Sequence, residues 1–249
     1  MLGKLLKYEI PAMGRKLLPL YAAWAATALI LGLTMDVTGA NSELMRTITG
    51  LFYVGIGMTI FVITIILIVQ RYSNSLLGDE GYFNHVLPVS VSEHIGNKLI
   101  SATSWVAVTV LVALLTAFLT AIGSVIAHGG IDLHGLDLQT LGIPKHFGLY
   151  VIQALILGIA GIVKTIMQIY AAITIGHQAD NRTTLVSLGA YIGFVIFESL
   201  VGRVLMPFME KFAGFSGGGV LVLTVLAVLL SALYFFICKY LMENRLNLA

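Results

Sequence analysis

The chain has 249 residues, of which 58% are hydrophobic and only 10% charged, with a formal net charge of +2. Soluble domains carry about 25% charged residues, and a sphere this poor in charge cannot cover its surface with polar groups, which excludes a soluble monomer. The same apolar excess excludes disorder, the small net charge excludes a nucleic-acid binder driven by bulk charge, and a lone cysteine, Cys238, excludes a disulfide framework or a structural zinc site. The fold class that remains is an all-α integral membrane protein.

In chain order, residues 2–16 place Leu2, Leu5, Leu6, Ile10 and Met13 at helical spacing, with Lys4, Lys7 and Arg15 supplying positive charge. This predicts an amphipathic elbow helix over 1–16 lying in the membrane interface; a cytoplasmic stub of the first span is the alternative. Pro11 and Gly14 predict a bend before the span. A bilayer core needs about 20 consecutive apolar residues per helix. Six stretches meet that length: Leu17–Met35, Ile48–Gln70, Leu99–Ala127, Leu149–Gly176, Thr184–Met206 and Val220–Tyr240. The first is too long for a signal-peptide core and is read as a retained helix.

The chain thus divides as one transmembrane domain, 1–249. It comprises the elbow, helices one and two (17–70), a loop (71–98), helices three and four (99–176), helices five and six (184–240) and a tail (241–249). With the N-terminus inside, nine basic residues fall on inner segments: Lys4, Lys7, Arg15, Lys16, Arg71, Lys98, Arg182, Lys239 and Arg245. Four fall outside: Arg46, Lys145, Arg203 and Lys211. The positive-inside rule therefore predicts a multi-pass plasma-membrane protein with both termini cytoplasmic.

The loop 71–98 mixes charge with Leu76, Leu77, Tyr82, Phe83, Val86 and Leu87, a composition suited to docking. Ser90 and Glu93 have capping-box spacing, so a helix is expected to open near Val91 and run into the third span. Pro88 keeps Leu87 extended. Between spans five and six, Pro207 and Ser216-Gly-Gly-Gly219 leave two readings of 203–219 open, a pair of half-helices dipping into the membrane or an outer loop.

Two ionisable residues lie deep in the spans. Lys164 is twelve residues from the inner end of span four, and Glu198 fourteen residues into span five. At 1.5 Å per residue these depths are roughly 18 and 21 Å. Since the two spans are consecutive and antiparallel, they form a candidate buried ion pair or line one polar cavity; a structural pair that merely locks two helices is the competing reading. Gln168 lies one turn from Lys164 and shares its face. Arg203 closes span five, and Gln153, Tyr170 and His177 add polarity to span four. The serines and threonines of span three are candidates to line a path, although such residues commonly bond back to their own helix. Gly189 and Gly193 form a small-residue step for close helix packing.

The order of spans, elbow and loop resembles that of ABC-2 type ABC transporter permeases, in particular the short six-helix permeases of Gram-positive bacteria. Gly78-Asp-Glu-Gly-Tyr82, Leu87-Pro-Val-Ser90 and Lys98-Leu99 carry the likeness, with Leu5-Leu-Lys-Tyr-Glu9 and Arg245-Leu-Asn-Leu248 at the ends. The resemblance implies a membrane-spanning subunit of an exporter of peptide, drug or lipid. It also implies a cytoplasmic coupling helix between helices two and three that docks on a separate ABC ATPase. Leu76, Leu77, Gly78, Asp79, Glu80, Gly81, Tyr82 and Phe83 would serve there, with Tyr82 and Phe83 as anchors and Asp79 and Glu80 setting register. A second permease copy, or a sister permease, is implied as well.

No Gly-x-x-x-x-Gly-Lys-Ser/Thr loop occurs, so ATP and magnesium are expected on the partner ATPase and no cofactor on this chain. No catalytic residues are assigned. The spans hold no His-Glu-x-x-His, and no second acidic residue at the depth of Glu198, as an intramembrane protease would need. The histidines and aspartates of 128–146 show no metal-ligand spacing, and no metal site is assigned. The expected partners are the ATPase, a second permease and membrane lipid, and not nucleic acid. The alternative function is a non-transporting membrane scaffold or accessory subunit.

Overall fold

The computed structural model describes residues 2–34, 42–77, 90–127, 147–179, 182–212 and 218–244. Among them are six α-helices and no strand: α1 (Leu2–Thr34), α2 (Ser42–Tyr72), α3 (Val91–Ala127), α4 (Phe147–Gly176), α5 (Thr183–Phe212) and α6 (Gly218–Asn244). Each of the six is long and apolar enough to cross a membrane. Large apolar side chains stand outward along them, Leu51, Met58, Phe61, Leu114 and Val204 among the most exposed. Hydrocarbon supplies no hydrogen bonds, and continuous helices satisfy their backbone internally.

The helix bounds revise several expectations. Residues 2–16 are not a separate elbow; they are the first half of α1, which continues through Pro11 and Pro19. A proline removes one backbone bond and crowds the preceding turn, which membrane helices tolerate by local adjustment. Gly14 has a packing role instead: a Cβ there would meet the Trp105 ring at 2.9 Å. Ser90 caps α3 as its spacing predicts. Its Oγ accepts from the Glu93 amide at 3.3 Å, and the Glu93 carboxylate accepts from the Ser90 amide at 3.2 Å. The second helix outruns its expected end at Gln70, reaching Tyr72 and passing into a π-helical turn, Ser73–Leu77. Helix α5 runs past Pro207 to Phe212, so 203–212 continues that helix and is not a separate half-helix.

The chain divides into two compact units. The first holds 68–103 and 145–249 together with 1–3; the second holds 4–67 and 104–144. In the second unit α1 is pinned by its aromatic side chains. Trp24 donates its indole N–H to the Tyr53 carbonyl at 3.1 Å, and their rings sit 5.7 Å apart. The hydroxyls of Tyr21 and Thr109 lie 2.7 Å apart, and those of Tyr53 and Thr116 lie 3.2 Å apart. Leu17, Ala28, Ile60 and Thr116 are fully buried between these ties.

The tightest approach in this unit joins α1 to α3 at a pair of glycines. A Cβ on Gly32 would lie 2.8 Å from the Gly123 Cα and would also meet the Thr120 carbonyl oxygen; a Cβ on Gly123 would lie 2.8 Å from the Gly32 Cα. Small residues let membrane helices bring their backbones together, which strengthens packing where no hydrophobic effect drives association. Gly123→Leu should therefore force the helices apart and cost about 1–3 kcal/mol or more. Gly55→Leu, at a position with open space, should be neutral. Thermal unfolding of the two variants in detergent, followed by circular dichroism, checks the difference.

Candidate functional site

The site lies in the first unit, where α4, α5 and α6 pack. Lys164 is twelve residues before the end of α4, Glu198 fifteen residues after the start of α5, and Tyr234 ten before the end of α6. At 1.5 Å per residue these are depths of roughly 18, 22 and 15 Å from the same ends of the three alternating helices. The side chains meet. Lys164 Nζ is 2.7 Å from Glu198 Oε2, and Tyr234 donates its hydroxyl to Glu198 Oε1 at 2.8 Å. Phe194, one turn from Glu198 on α5, packs against the Tyr234 ring with centroids 4.8 Å apart.

Both carboxylate oxygens of Glu198 are engaged, one by an ammonium and one by a phenol, and each keeps a further lone pair. Lys164 has three N–H donors and a single described acceptor. The Lys164 and Glu198 side chains each keep 19% of their surface exposed, so the ammonium is not sealed in. Gln168, one turn along α4, is 2% exposed, and its Nε2 has no acceptor among the described residues.

A second cluster sits where α2, α3, α4 and α6 converge. The rings of Tyr72 and Tyr170 stack with centroids 3.9 Å apart and planes within 8°, and both side chains are buried. The Tyr72 hydroxyl lies 2.8 Å from Thr174 Oγ1 and 3.9 Å from Met242 Sδ. Tyr170 donates to the Lys98 carbonyl at 3.2 Å. Ser73 Oγ reaches His177 Nε2 at 3.4 Å. Leu76, four residues after Tyr72, and Ile95, three before Lys98, are fully buried as well.

The remaining candidate residues are placed as follows. Leu76 belongs to the π-helical turn and is fully buried; its apolar side chain goes to the protein's own interior and leaves no surface for a partner. Leu77 closes the same turn. Gly78, Asp79, Glu80, Gly81, Tyr82 and Phe83 lie outside the described residues, as do 128–146 with their histidines. Arg203 is on α5 and exposed. Gly189 and Gly193 have open space where a Cβ would stand, so they make no close helix contact among the described residues. The close contact is made at Gly32 and Gly123, which lie on helices distant in sequence. Four hydroxyls of the third span bond back to their own helix, Thr109 to the Trp105 carbonyl, Thr116 to Ala113, Thr120 to Thr116 and Ser124 to Ala121, whereas the buried hydroxyls of Ser101 and Thr103 have no partner among the described residues. Among the described residues no group of three or more metal-binding side chains is found.

Sequence reasoning pairs Lys164 with Glu198 but misses Tyr234 and Tyr72. A tyrosine at mid-span depth is the signal that would have found Tyr234, since its hydroxyl needs a partner in hydrocarbon. Tyr72 stands at the predicted helix end, where tyrosine is ordinary.

No family profile, no curated protein and no solved structure matches the chain.

Removing one member of a buried ion pair strands the other charge. Lys164→Met and Glu198→Leu should each cost about 3 kcal/mol, the lower end of the range because part of each side chain stays exposed. Lys164→Met/Glu198→Leu should cost less than either single change. Tyr234→Phe should cost about 1–2 kcal/mol by removing one charge-assisted bond. A double-mutant cycle on detergent melting curves measures these values. In the second cluster, Tyr72→Phe keeps the stack and loses only the Thr174 bond, a loss of about 1 kcal/mol. Tyr72→Ala opens a cavity and should cost about 3–5 kcal/mol.

Proposed function

We propose that the chain is the membrane-spanning permease subunit of an ATP-binding cassette exporter, driven by a separate ATPase and located in a bacterial plasma membrane with both termini cytoplasmic. The observation that carries this reading is how both ends of the 78–89 segment are attached. On one side Tyr72 is buried against Tyr170 and Thr174 of α4 and Met242 of α6; on the other Tyr170 of α4 holds the Lys98 carbonyl of α3. Helix α4 then carries Lys164 six residues from Tyr170, roughly 9 Å along the helix. A push on the segment is thereby delivered to the helix that bears the intramembrane ion pair.

In this mechanism ATP closes two ATPase subunits, and each moves the 78–89 segment of its permease. Asp79, Glu80, Tyr82 and Phe83 supply the charges and anchors for docking. The stacked tyrosines transmit the displacement because packed interiors shift between discrete arrangements and do not yield gradually. Two permease chains, identical or sister, enclose the path, and the Lys164–Glu198 region faces the substrate. ATP and magnesium act on the partner, and this chain performs no chemistry. A peptide, drug or lipid substrate fits an apolar set of spans interrupted by one polar site.

The test is co-purification of the tagged chain from its native membranes, followed by ATP turnover in proteoliposomes. A stoichiometric ATPase is expected with the wild type, and Glu80→Ala should lower substrate-stimulated turnover several-fold while the chain still inserts. If the chain purifies without an ATPase, and turnover in its membranes is indifferent to Glu80→Ala, the scaffold reading replaces this one.

A further inference from the structure

Helix α1 carries an exposed stripe that changes character part-way along. Positions three or four residues apart share one side of a helix. From Lys7 that side runs through Pro11, Arg15, Leu18, Ala22 and Leu29, all of them exposed, and Lys4 stands in the same register. A different side packs against the rest of the unit, marked by the buried Met13, Leu17 and Tyr21. The exposed stripe is thus cationic up to Arg15 and apolar after it.

The change falls at the edge of the hydrocarbon. The apolar span within α1 is Met13–Thr34, so Arg15 sits in its first turn. The helix has 33 residues without a break, roughly 50 Å at 1.5 Å per residue against a hydrocarbon core of about 30 Å. The surplus carries Lys7, about 12 Å before Arg15, toward the headgroups and the water beyond them. A continuous helix holds the cations in line with the apolar stripe, which a hinged elbow would not do.

The register of the stripe holds no acidic residue. Glu9 is the one carboxylate before Asp36. It stands seven residues before Lys16, on the side of Lys16 and away from that of Lys7 and Arg15. Neither Lys7 nor Arg15 is in an ion pair among the described residues. Cations continued directly by exposed apolar side chains match an amphiphile with a negative head and a hydrocarbon body. An acidic protein surface would meet the charges but leave Leu18 and Leu29, 60% and 37% exposed, uncovered. An arginine fork holds a phosphate through two N–H groups, and basic residues beside a span attract anionic lipid.

We infer that Lys7 and Arg15 form a binding site for one anionic phospholipid, its phosphate on Arg15 and an acyl chain along Leu18, Ala22 and Leu29. Lys16, also exposed but about 100° further round the helix than Arg15, takes no part. The site lies on α1 and does not depend on the transporter reading.

The test is native mass spectrometry of the full chain released from neutral detergent micelles, titrated with phosphatidylglycerol or with phosphatidylcholine of the same acyl chains. The first phosphatidylglycerol should bind about twentyfold more tightly than phosphatidylcholine, a factor of about five for each of two basic residues. Lys7→Gln and Arg15→Gln should each remove about fivefold of that preference, and Lys16→Gln should keep it. All three side chains are exposed, so circular dichroism should show the fold unchanged. Inorganic phosphate at matched ionic strength should leave the bound lipid in place.

Equal binding of the two lipids by the wild type overturns the proposal. So does a preference that survives Lys7→Gln/Arg15→Gln. A preference that Lys16→Gln lowers as much as Arg15→Gln does also overturns it, because a diffuse positive surface then replaces the site. Displacement of the lipid by inorganic phosphate overturns it in favour of a free-anion site.

Discussion

A lysine and a glutamate on hydrocarbon-spanning helices are each expensive unless they find one another, and that requirement organises the first unit. The Lys164–Glu198 contact of 2.7 Å ties α4 to α5, and Tyr234 brings in α6 through the second carboxylate oxygen. The three helices thus share one polar point in otherwise apolar surfaces. Apolar packing leaves helices in lipid free to rotate or slide, because lipid tails offer the same contacts. A charge pair does not. It holds three helices at one depth and gives them a defined rotation, so that Gln168 is buried on the face that carries Lys164.

The aromatic ties extend the same logic elsewhere. In the second unit Tyr21, Trp24 and Tyr53 satisfy their polar tips against Thr109, the Tyr53 carbonyl and Thr116 while their rings fill the helix contacts. In the first unit Tyr72 and Tyr170 do so against Thr174 and the Lys98 carbonyl. A buried tyrosine combines a large apolar ring with one directional bond, which is how a protein so short of charge still specifies the orientation of each helix. Toward the far end of α3, Thr120 and Ser124 return their hydroxyls to their own backbone.

Legibility in the sequence followed the range of the interaction. Helix number and type were readable because twenty apolar residues in a row admit one solution in a bilayer. The start of α3 was readable because a capping box is local, Ser90 to Glu93. The ends of α1 and α2 were misread. Residues 2–16 look like a separate elbow, yet α1 runs on through Pro11 and Gly14, and Gly14 leaves room for the ring of Trp105, a residue far away in sequence. Leu76 looks like a docking residue, yet its side chain is fully buried. For Gly14 the deciding neighbour lies on another helix.

The same division applies to the site. Composition and hydropathy by themselves determined that this is a six-helix membrane protein, because the free energy of exposing or burying an apolar run depends on that run alone. The matched depths of Lys164 and Glu198 were countable for the same reason, since helix rise is constant. Rotation about the helix axis is not countable. Whether two residues at one depth face each other, whether Tyr234 completes them, and whether Gly32 rather than Gly189 makes the close helix contact all depend on how each helix turns toward its neighbours. Only the tertiary structure decides that, because it is a property of pairs of helices and not of any one segment.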